Sequence, residues 1–145
     1  MKTRIRHPQT KQSLPHISGG VLCDGWLFVS GQGPLDMSTK AVVPGTIEEE
    51  TRLTLQNLDA ILGAAGCSRE DVVKCTCYLS DLGDFAGFDA AYREFFSCEV
   101  PPARTTLQAP LLKGIKVEID AIAHCPGGVE PESDGPRDDR RNRIA

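Results

Sequence analysis

Two residues in the last third of this sequence have side chains that could act together on a small carboxylic acid. Arg104 follows Pro102 and Ala103 at the start of a run typical of a β-strand, and Glu118 lies in the middle of the next such run. A guanidinium group binds a carboxylate through two parallel hydrogen bonds, and a nearby glutamate can take up or deliver a proton. If the two strands pair, both side chains could face one small anionic substrate.

The residue types alone also leave a plainer interpretation of each side chain. Arg104 could be an edge-strand arginine that lies in solvent or in a surface ion pair. Glu118 shares its strand face with Lys116 and Asp120, which is typical of a solvated face. Ile122 lies on the same face, so the face is not uniformly polar.

The sequence lacks the motifs of covalent, phosphate-binding and dinucleotide-binding enzymes. It contains no G-x-S-x-G and no Walker loop, and Gly31-Gln32-Gly33 is too short for a dinucleotide fingerprint. A single histidine such as His16 indicates catalysis only weakly. Cys75-Thr76-Cys77 puts two thiols on one strand face without a histidine pair nearby, so buried thiols are favoured over a metal site. What remains is chemistry on a small molecule without cofactor or metal, or binding without chemistry.

Hydrophobic periodicity predicts the elements that would carry these residues. Residues 1 to about 16 are polar and are expected to lie along the surface. Asp24-Gly25 between two apolar runs indicates a hairpin. Thr46 and Glu49 form a capping box ahead of a helix from Ile47 to Ala65. Alternating apolar residues predict a strand from Asp71 to Leu79, with Val73 on the face of the cysteines.

A second helix begins after Asp84 and carries an aromatic stripe that is assigned to the core rather than to a cofactor site. The stripe consists of Phe85, Phe88, Tyr92, Phe95 and Phe96. Two final strands, 103–109 and 115–123, are joined by a turn at 112–114. Strands connected through helices are expected to be parallel, and the terminal hairpins antiparallel. The fold class is therefore α+β, a mixed sheet with both helices packed on one face.

Composition narrows the class of protein. The 145 residues suit one domain, and a net charge of −4 argues against a nucleic-acid partner. The basic N-terminus has no apolar run behind it, so neither a signal peptide nor a membrane span is expected, and a cytoplasmic location with all six cysteines reduced is predicted. Residues 1–125 form the predicted domain. Residues 126–145 are rich in Pro, Gly and charge and are predicted to be a disordered tail.

Several stretches resemble the RidA/YjgF/L-PSP family of small trimeric proteins, over residues from about 13 to 124. The matching stretches are Ser30-Gly31-Gln32, 71–74, 84–86, 92–96, Pro102-Ala103-Arg104 and 116–123. The resemblance implies a chorismate-mutase-like (YjgF) fold and a homotrimer with clefts between subunits. It also implies cofactor-free hydrolysis of reactive 2-imino and 2-enamino acids to 2-keto acids and ammonia.

The same resemblance implies roles for individual residues. Arg104 matches the arginine that binds the substrate carboxylate, and Glu118 matches the glutamate near the attacking water. Ser30 and Gly31 match the loop that lines the cleft.

Three further positions of the implied substrate site differ from the archetype of the family. His16 stands in place of tyrosine, Thr106 in place of cysteine, and Asp89 in place of the usual asparagine. The loop after Thr106 is one residue shorter.

These differences leave other functions open. Pro15-His16-Ile17 and Arg104-Thr105-Thr106 also resemble the 2-aminomuconate deaminases, which suggests a larger enamine substrate. A non-catalytic small-molecule-binding or chaperone-like trimer is the alternative outside enzymes. Ribonuclease activity, attached to some members, is disfavoured by the acidic balance of the chain.

Overall fold

The computed structural model describes residues 1–127. These residues form a mixed six-stranded β-sheet with two α-helices on one face. The α+β class predicted from the sequence is confirmed. The strands are β1 (Lys2–Ile5), β2 (Gly20–Cys23), β3 (Trp26–Gln32), β4 (Val72–Leu79), β5 (Ala103–Gln108) and β6 (Val117–His124), and the helices are α1 (Ile47–Ala64) and α2 (Phe85–Phe95). All but the first two residues of the predicted tail, 126–145, lie outside the described part.

The strand order corrects one expectation that mattered for the site. The order is β1-β2-β3-β6-β4-β5, with β4 and β5 parallel and every other neighbouring pair antiparallel. The parallel pair joined through α2 is as predicted. The last two strands, however, do not pair, because β4 lies between them. The exposure of the strands agrees with this order: alternate residues of β6 are almost fully buried, whereas β5 is partly exposed throughout and suits an edge.

The N-terminal segment is more ordered than its polarity suggests. Lys2–Ile5 pairs with β2 as an edge strand, and Ile5 is buried in the core. The expectation that these residues simply follow the surface is wrong here, because one apolar side chain and a ladder of backbone hydrogen bonds suffice to hold a short edge strand.

Helix α1 begins where the capping box predicts. The Glu49 backbone N–H donates to Thr46 Oγ1 at 3.2 Å, and the Thr46 N–H donates to Glu49 Oε1 at 3.4 Å. The helix ends at Ala64, one residue before the predicted end. Its apolar stripe lies in the core, with Leu55, Leu58, Ile61 and Leu62 buried.

One turn and one aromatic stripe predicted from local chemistry are also confirmed. Asp24 and Gly25 both have positive φ (51° and 79°), as a two-residue hairpin turn requires. In α2 the rings of Phe88, Tyr92 and Phe96 are buried in the core, while Phe85 stays partly exposed.

The register of β4 contains a bulge that sequence alternation did not reveal. Val72 and Lys74 pair with consecutive residues of β6, so Val73 is displaced from the ladder and is exposed. Val72 takes the buried place that alternation assigned to Val73.

The cysteines divide into a bonded pair and free thiols. Cys67 and Cys125 form a disulfide with Cα atoms 5.7 Å apart, so the expectation that all six are reduced is wrong for this pair. The two lie 58 positions apart in the sequence and meet because β6 runs back along the sheet to the end of α1. Cys75 and Cys77 are buried free thiols, as expected. No helix within residues 1–127 is long and apolar enough to cross a membrane.

Candidate active site

Arg104 lies on the helix-covered face of the sheet, in contact with α2. Its Nη1 donates to Asp89 Oδ1 at 2.8 Å, and its guanidinium carbon lies 4.7 Å from the ring centre of Tyr92 and 5.4 Å from that of Phe88. Its side chain is only 24% exposed. Aromatic faces attract the cation, so the guanidinium is held on one side by a carboxylate and on another by rings.

Asp89 bridges two arginines. Its second oxygen accepts from Arg93 Nε at 2.9 Å, one turn along α2. The hydrogen bond from Arg104 is the main reason that the pKa of Asp89 is lowered, so the carboxylate is ionised at neutral pH. Asp89 therefore places a full negative charge beside the Arg104 guanidinium.

Glu118 lies on the opposite, open face of the sheet. It lies opposite Tyr78 of the neighbouring strand β4. The Tyr78 hydroxyl donates to Asp120 Oδ2 at 3.1 Å. Burial raises the pKa of Glu118, and the charge of Asp120 raises it further. A carboxyl group with a raised pKa is better suited to exchange a proton near neutral pH than an ordinary glutamate.

A buried ion pair positions the strand that carries Glu118. Glu50 of α1 is 2% exposed and accepts from both the backbone N–H and the Nζ of Lys116, each at 2.9 Å. Lys116 Nζ also donates to the Gly45 carbonyl at 2.9 Å. Glu50 lies in the first turn of α1. Its position next to β6 depends on the tertiary fold.

The predicted pair of Arg104 and Glu118 does not meet within one chain. Residues opposite each other in neighbouring strands point to the same face. Arg104 is opposite Cys75, which is opposite Ala121, and this row faces the helices. Glu118 lies three residues before Ala121 on β6 and therefore points to the other face.

Gly31 and Ser30 lie on the side of Glu118. A β-bulge between Val29 and Gln32 interrupts the pairing of β3 with β6 at this point. A Cβ atom on Gly31 would lie 2.9 Å from the Glu118 carboxyl carbon, so only glycine lets that carboxyl group pack against the backbone. Ser30 Oγ donates to the Ser18 carbonyl at 2.6 Å and fixes the preceding loop.

Thr106 and His16 complete the predicted set. Thr106 faces the helices with Arg104, and its Oγ1 is buried without a hydrogen-bond partner among the described residues. His16 is exposed in the loop between β1 and β2, and its neighbour Ile17 lines a cavity that Ser30 and Gly31 also line. The structure thus forms two groups: Arg104, Asp89 and Thr106 on one face, and Glu118, Gly31 and Ser30 on or beside the other.

The buried thiols near Arg104 are unsuited to nucleophilic chemistry. Burial raises the pKa of Cys75 to about 11, and that of Cys77 is raised further, so both stay protonated at neutral pH. Within residues 1–127, no three His, Cys, Asp or Glu side chains are grouped so that they could hold a metal ion.

Comparison with known proteins identifies the family. The family model described as Endoribonuclease L-PSP matches residues 9–125. The chain belongs to the L-PSP family. Among L-PSP relatives, a RutC family protein of Pyrococcus horikoshii is 43% identical over 125 residues, covering 86% of this chain and 98% of that protein.

Two further members of the family have names that mention a reaction or a bound small molecule. The 2-iminobutanoate/2-iminopropanoate deaminase of Rattus norvegicus is 42% identical over 106 residues, covering 73% of this chain and 77% of the rat protein. The crystal structure of E. coli TdcF with bound serine superposes with a TM-score of 0.77 at 34% identity, covering 84% of this chain and 98% of that one. The family resemblance and the α+β fold inferred from the sequence are therefore confirmed.

Proposed function

We propose that this L-PSP family protein hydrolyses reactive 2-imino or 2-enamino acids to 2-keto acids and ammonia, in a cleft between subunits of a homotrimer. The observation that carries the proposal is the placement of Arg104 and Glu118 on opposite faces of one sheet. A carboxylate anchor and a proton-exchanging group can then reach one substrate only if each comes from a different copy of the chain. The name of the rat relative supports the reaction class.

The open face of the sheet supports self-association. Trp26 is 42% exposed, Phe28 49% and Leu107 38%, and all three lie on the same face as Glu118. Exposed apolar clusters of this kind mark interaction sites. A second copy of the chain is the occupant that would also bring an Arg104 toward Glu118, and the count of three follows from the family resemblance.

In the proposed reaction, Arg104 binds the substrate carboxylate with the donors that Asp89 does not occupy. Glu118 takes a proton from a water molecule as the water oxygen bonds to the imine carbon and the C=N π electrons move to the nitrogen, which then receives that proton. The hydroxyl proton of the tetrahedral intermediate next passes by way of Glu118 to the nitrogen, and ammonia leaves as the C–N bond breaks and the C=O bond forms. The unpartnered Thr106 hydroxyl can hydrogen-bond the nitrogen or the water. Because imines hydrolyse readily by themselves, positioning supplies much of the acceleration.

The test is direct hydrolysis of imines made in situ. 2-Iminopropanoate or 2-iminobutanoate is generated by an amino acid oxidase, and its decay is followed by trapping the remaining imine. Wild type is expected to speed the decay, and Arg104→Ala to lose most of that effect. Arg52→Ala, which removes an exposed arginine of α1 paired with Glu94, serves as the matched control and should behave as wild type. Equal decay with and without the wild-type protein would refute the proposal.

Carboxylate binding without catalysis is the second candidate. It is supported by the serine in the E. coli TdcF structure and by the Asp89–Arg104 pair, which reduces the positive charge at the anchor. If this candidate holds, serine or a keto acid binds and Arg104→Ala abolishes binding, while every imine assay stays at the uncatalysed rate. A 2-aminomuconate-type reaction stays a prediction, and the same assay with 2-aminomuconate as the substrate tests it.

A further inference from the structure

A cavity of about 200 Å³ lies at the C-terminal end of β3, where Ser30 and Gly31 line it but Arg104, Thr106 and Glu118 do not. The segment that follows β1 and the loop after β3 enclose it. Four of the residues that line it carry basic side chains: Arg4, Arg6, His7 and Lys40. Its apolar lining includes Leu14 and Ile17. None of the residues that line it, all within the described part of the chain, is an aspartate or a glutamate.

The basic groups here lie close together. Burial lowers the pKa of Lys40, and the charge of Lys113 lowers it further. His7 is 6% exposed, and its pKa is lowered first by burial and then by the charge of Lys40, against a hydrogen bond with Asn57 that raises it. Positive groups disfavour one another's charge in this cavity, and a bound anion would relieve that effect.

Neutral acceptors hold Arg4 in place. Its Nε donates to Ser18 Oγ at 3.1 Å and its Nη2 to the Pro15 carbonyl at 3.3 Å. Lys40 Nζ donates to Thr10 Oγ1 at 3.4 Å. Within residues 1–127 neither cation forms an ion pair, so a carboxylate in the cavity would meet donors that no acidic side chain already neutralises.

The cavity adjoins the group around Glu118. Ser30 and Gly31 line it, and Gly31 is also the residue against which the Glu118 carboxyl packs. A ligand that lies beside Glu118 and extends past Gly31 would bring its far end toward Arg4 and Lys40. A substrate with a short apolar side chain leaves this space to water.

We propose that the cavity binds a second carboxylate of the substrate, so that the preferred substrates are 2-imino acids whose side chain ends in an acid. The proposal rests on the proposed deaminase function. The neighbouring subunit's anchor arginine would hold the carboxylate next to the imine, and the basic cavity would hold the distal one. Selectivity then comes from charge at the far end of the substrate rather than from the reacting centre.

The kinetic test compares 2-iminoglutarate with 2-iminobutanoate, each generated by an oxidase from the amino acid. Wild type is expected to have the higher kcat/KM for 2-iminoglutarate. In Arg4→Gln and Lys40→Gln the ratio of the two kcat/KM values should fall about tenfold, the effect of losing one charge-assisted hydrogen bond. Lys2→Gln, which removes a cation from the same strand but outside the cavity lining, should keep the wild-type ratio. No preference in wild type, or equal losses on both substrates, would overturn the proposal.

A binding measurement separates this proposal from the deaminase function itself. Calorimetry with the stable product analogues 2-oxoglutarate and 2-oxobutanoate needs no turnover. Tighter binding of 2-oxoglutarate that is weakened by Arg4→Gln supports the cavity site even if no imine is hydrolysed. If imines are hydrolysed but the two keto acids bind with equal affinity, the cavity site is refuted and the deaminase function is supported.

Discussion

At the scale of single residues, the state of the anchor arginine is the central finding. Arg104 is neither solvated nor free, since Asp89 holds one of its nitrogens and α2 rings surround it. Both simple interpretations of the sequence were incomplete, because an arginine can be ion-paired within its own chain and still present donors to a ligand. The negative charge of Asp89 should weaken the attraction of the site for anions.

Replacing Asp89 with asparagine tests this idea. Asp89→Asn keeps an oxygen that accepts from Arg104 but removes the charge. Because a partly exposed ion pair contributes about 0.2–1 kcal/mol, we expect KM for a 2-imino acid to fall by a factor of up to about five with little change in kcat. Steady-state kinetics on the in situ imine measure both constants. A raised KM would instead mean that the charge of Asp89 is needed to orient Arg104.

The raised pKa of Glu118 predicts a pH profile. Glu118 must be ionised to take a proton from water, so kcat/KM should fall as the pH drops through its pKa, with a midpoint above the ordinary value of 4.5. Glu118→Gln should remove this acidic limb of the pH profile together with most of the activity. Asp120→Asn should move the midpoint to lower pH, because the charge of Asp120 helps to raise the Glu118 pKa. An unmoved midpoint would assign the limb to another group.

The raised pKa of Glu118 also has a consequence for stability. The folded carboxyl binds its proton more tightly than the unfolded one, so the free energy of unfolding should decrease as pH rises from about 4.5 through the folded pKa of Glu118. Glu118→Gln should lack this contribution in urea titrations at several pH values. Ionised Glu118 is therefore expected to lower the stability of the fold.

At the scale of elements, local chemistry decides where helices begin and strand order decides which faces the side chains occupy. The capping box of α1 was predictable because Thr46 and Glu49 lie three positions apart and each accepts a hydrogen bond from the backbone of the other. The bulge in β4 and the insertion of β6 between β3 and β4 were not, because they depend on partners that are distant in sequence.

The substitution Thr46→Ala tests the contribution of the α1 cap to stability. Removing the hydroxyl leaves the Glu49 N–H without its acceptor, so the free energy of unfolding should drop by about 1 kcal/mol. Urea denaturation measures the change. Thr46→Ser retains the hydroxyl and is the matched control, with a midpoint near that of wild type. An equal loss in both variants would point to the methyl group rather than to the cap.

At the scale of the whole molecule, the exposed sheet face predicts assembly. We expect light scattering to give about three times the mass of one chain. Phe28→Glu, at the centre of the open face, should yield a folded monomer without imine hydrolysis, because a buried charge at the interface is costly. Gln56→Glu adds the same charge to the exposed side of α1 and should leave the trimer intact. A monomeric wild type with full activity would contradict the intersubunit site.

Much of the architecture was predictable, because helix caps, the Asp24-Gly25 turn and the aromatic stripe of α2 depend on neighbours a few residues apart. The site was predictable only as a set of residue types. The sequence pointed to Arg104 and Glu118 as candidates, but it could not show that they lie on opposite faces, since that requires knowing that β4 separates β5 from β6. The basic cavity was missed because Arg4 and Lys40 are remote in sequence and each looks like an ordinary surface cation.

The sequence by itself determined most of the elements, much of the core and the family of this protein, since periodicity, capping and matching motifs are local properties of the chain. Only the tertiary structure decided what those residues face. Pairing of β6 with β3 and β4 sets the side of the sheet on which each side chain lies, and this places Arg104 and Glu118 on opposite faces. The same folding brings Asp89 to Arg104, Gly31 to Glu118 and a cluster of cations to the end of β3.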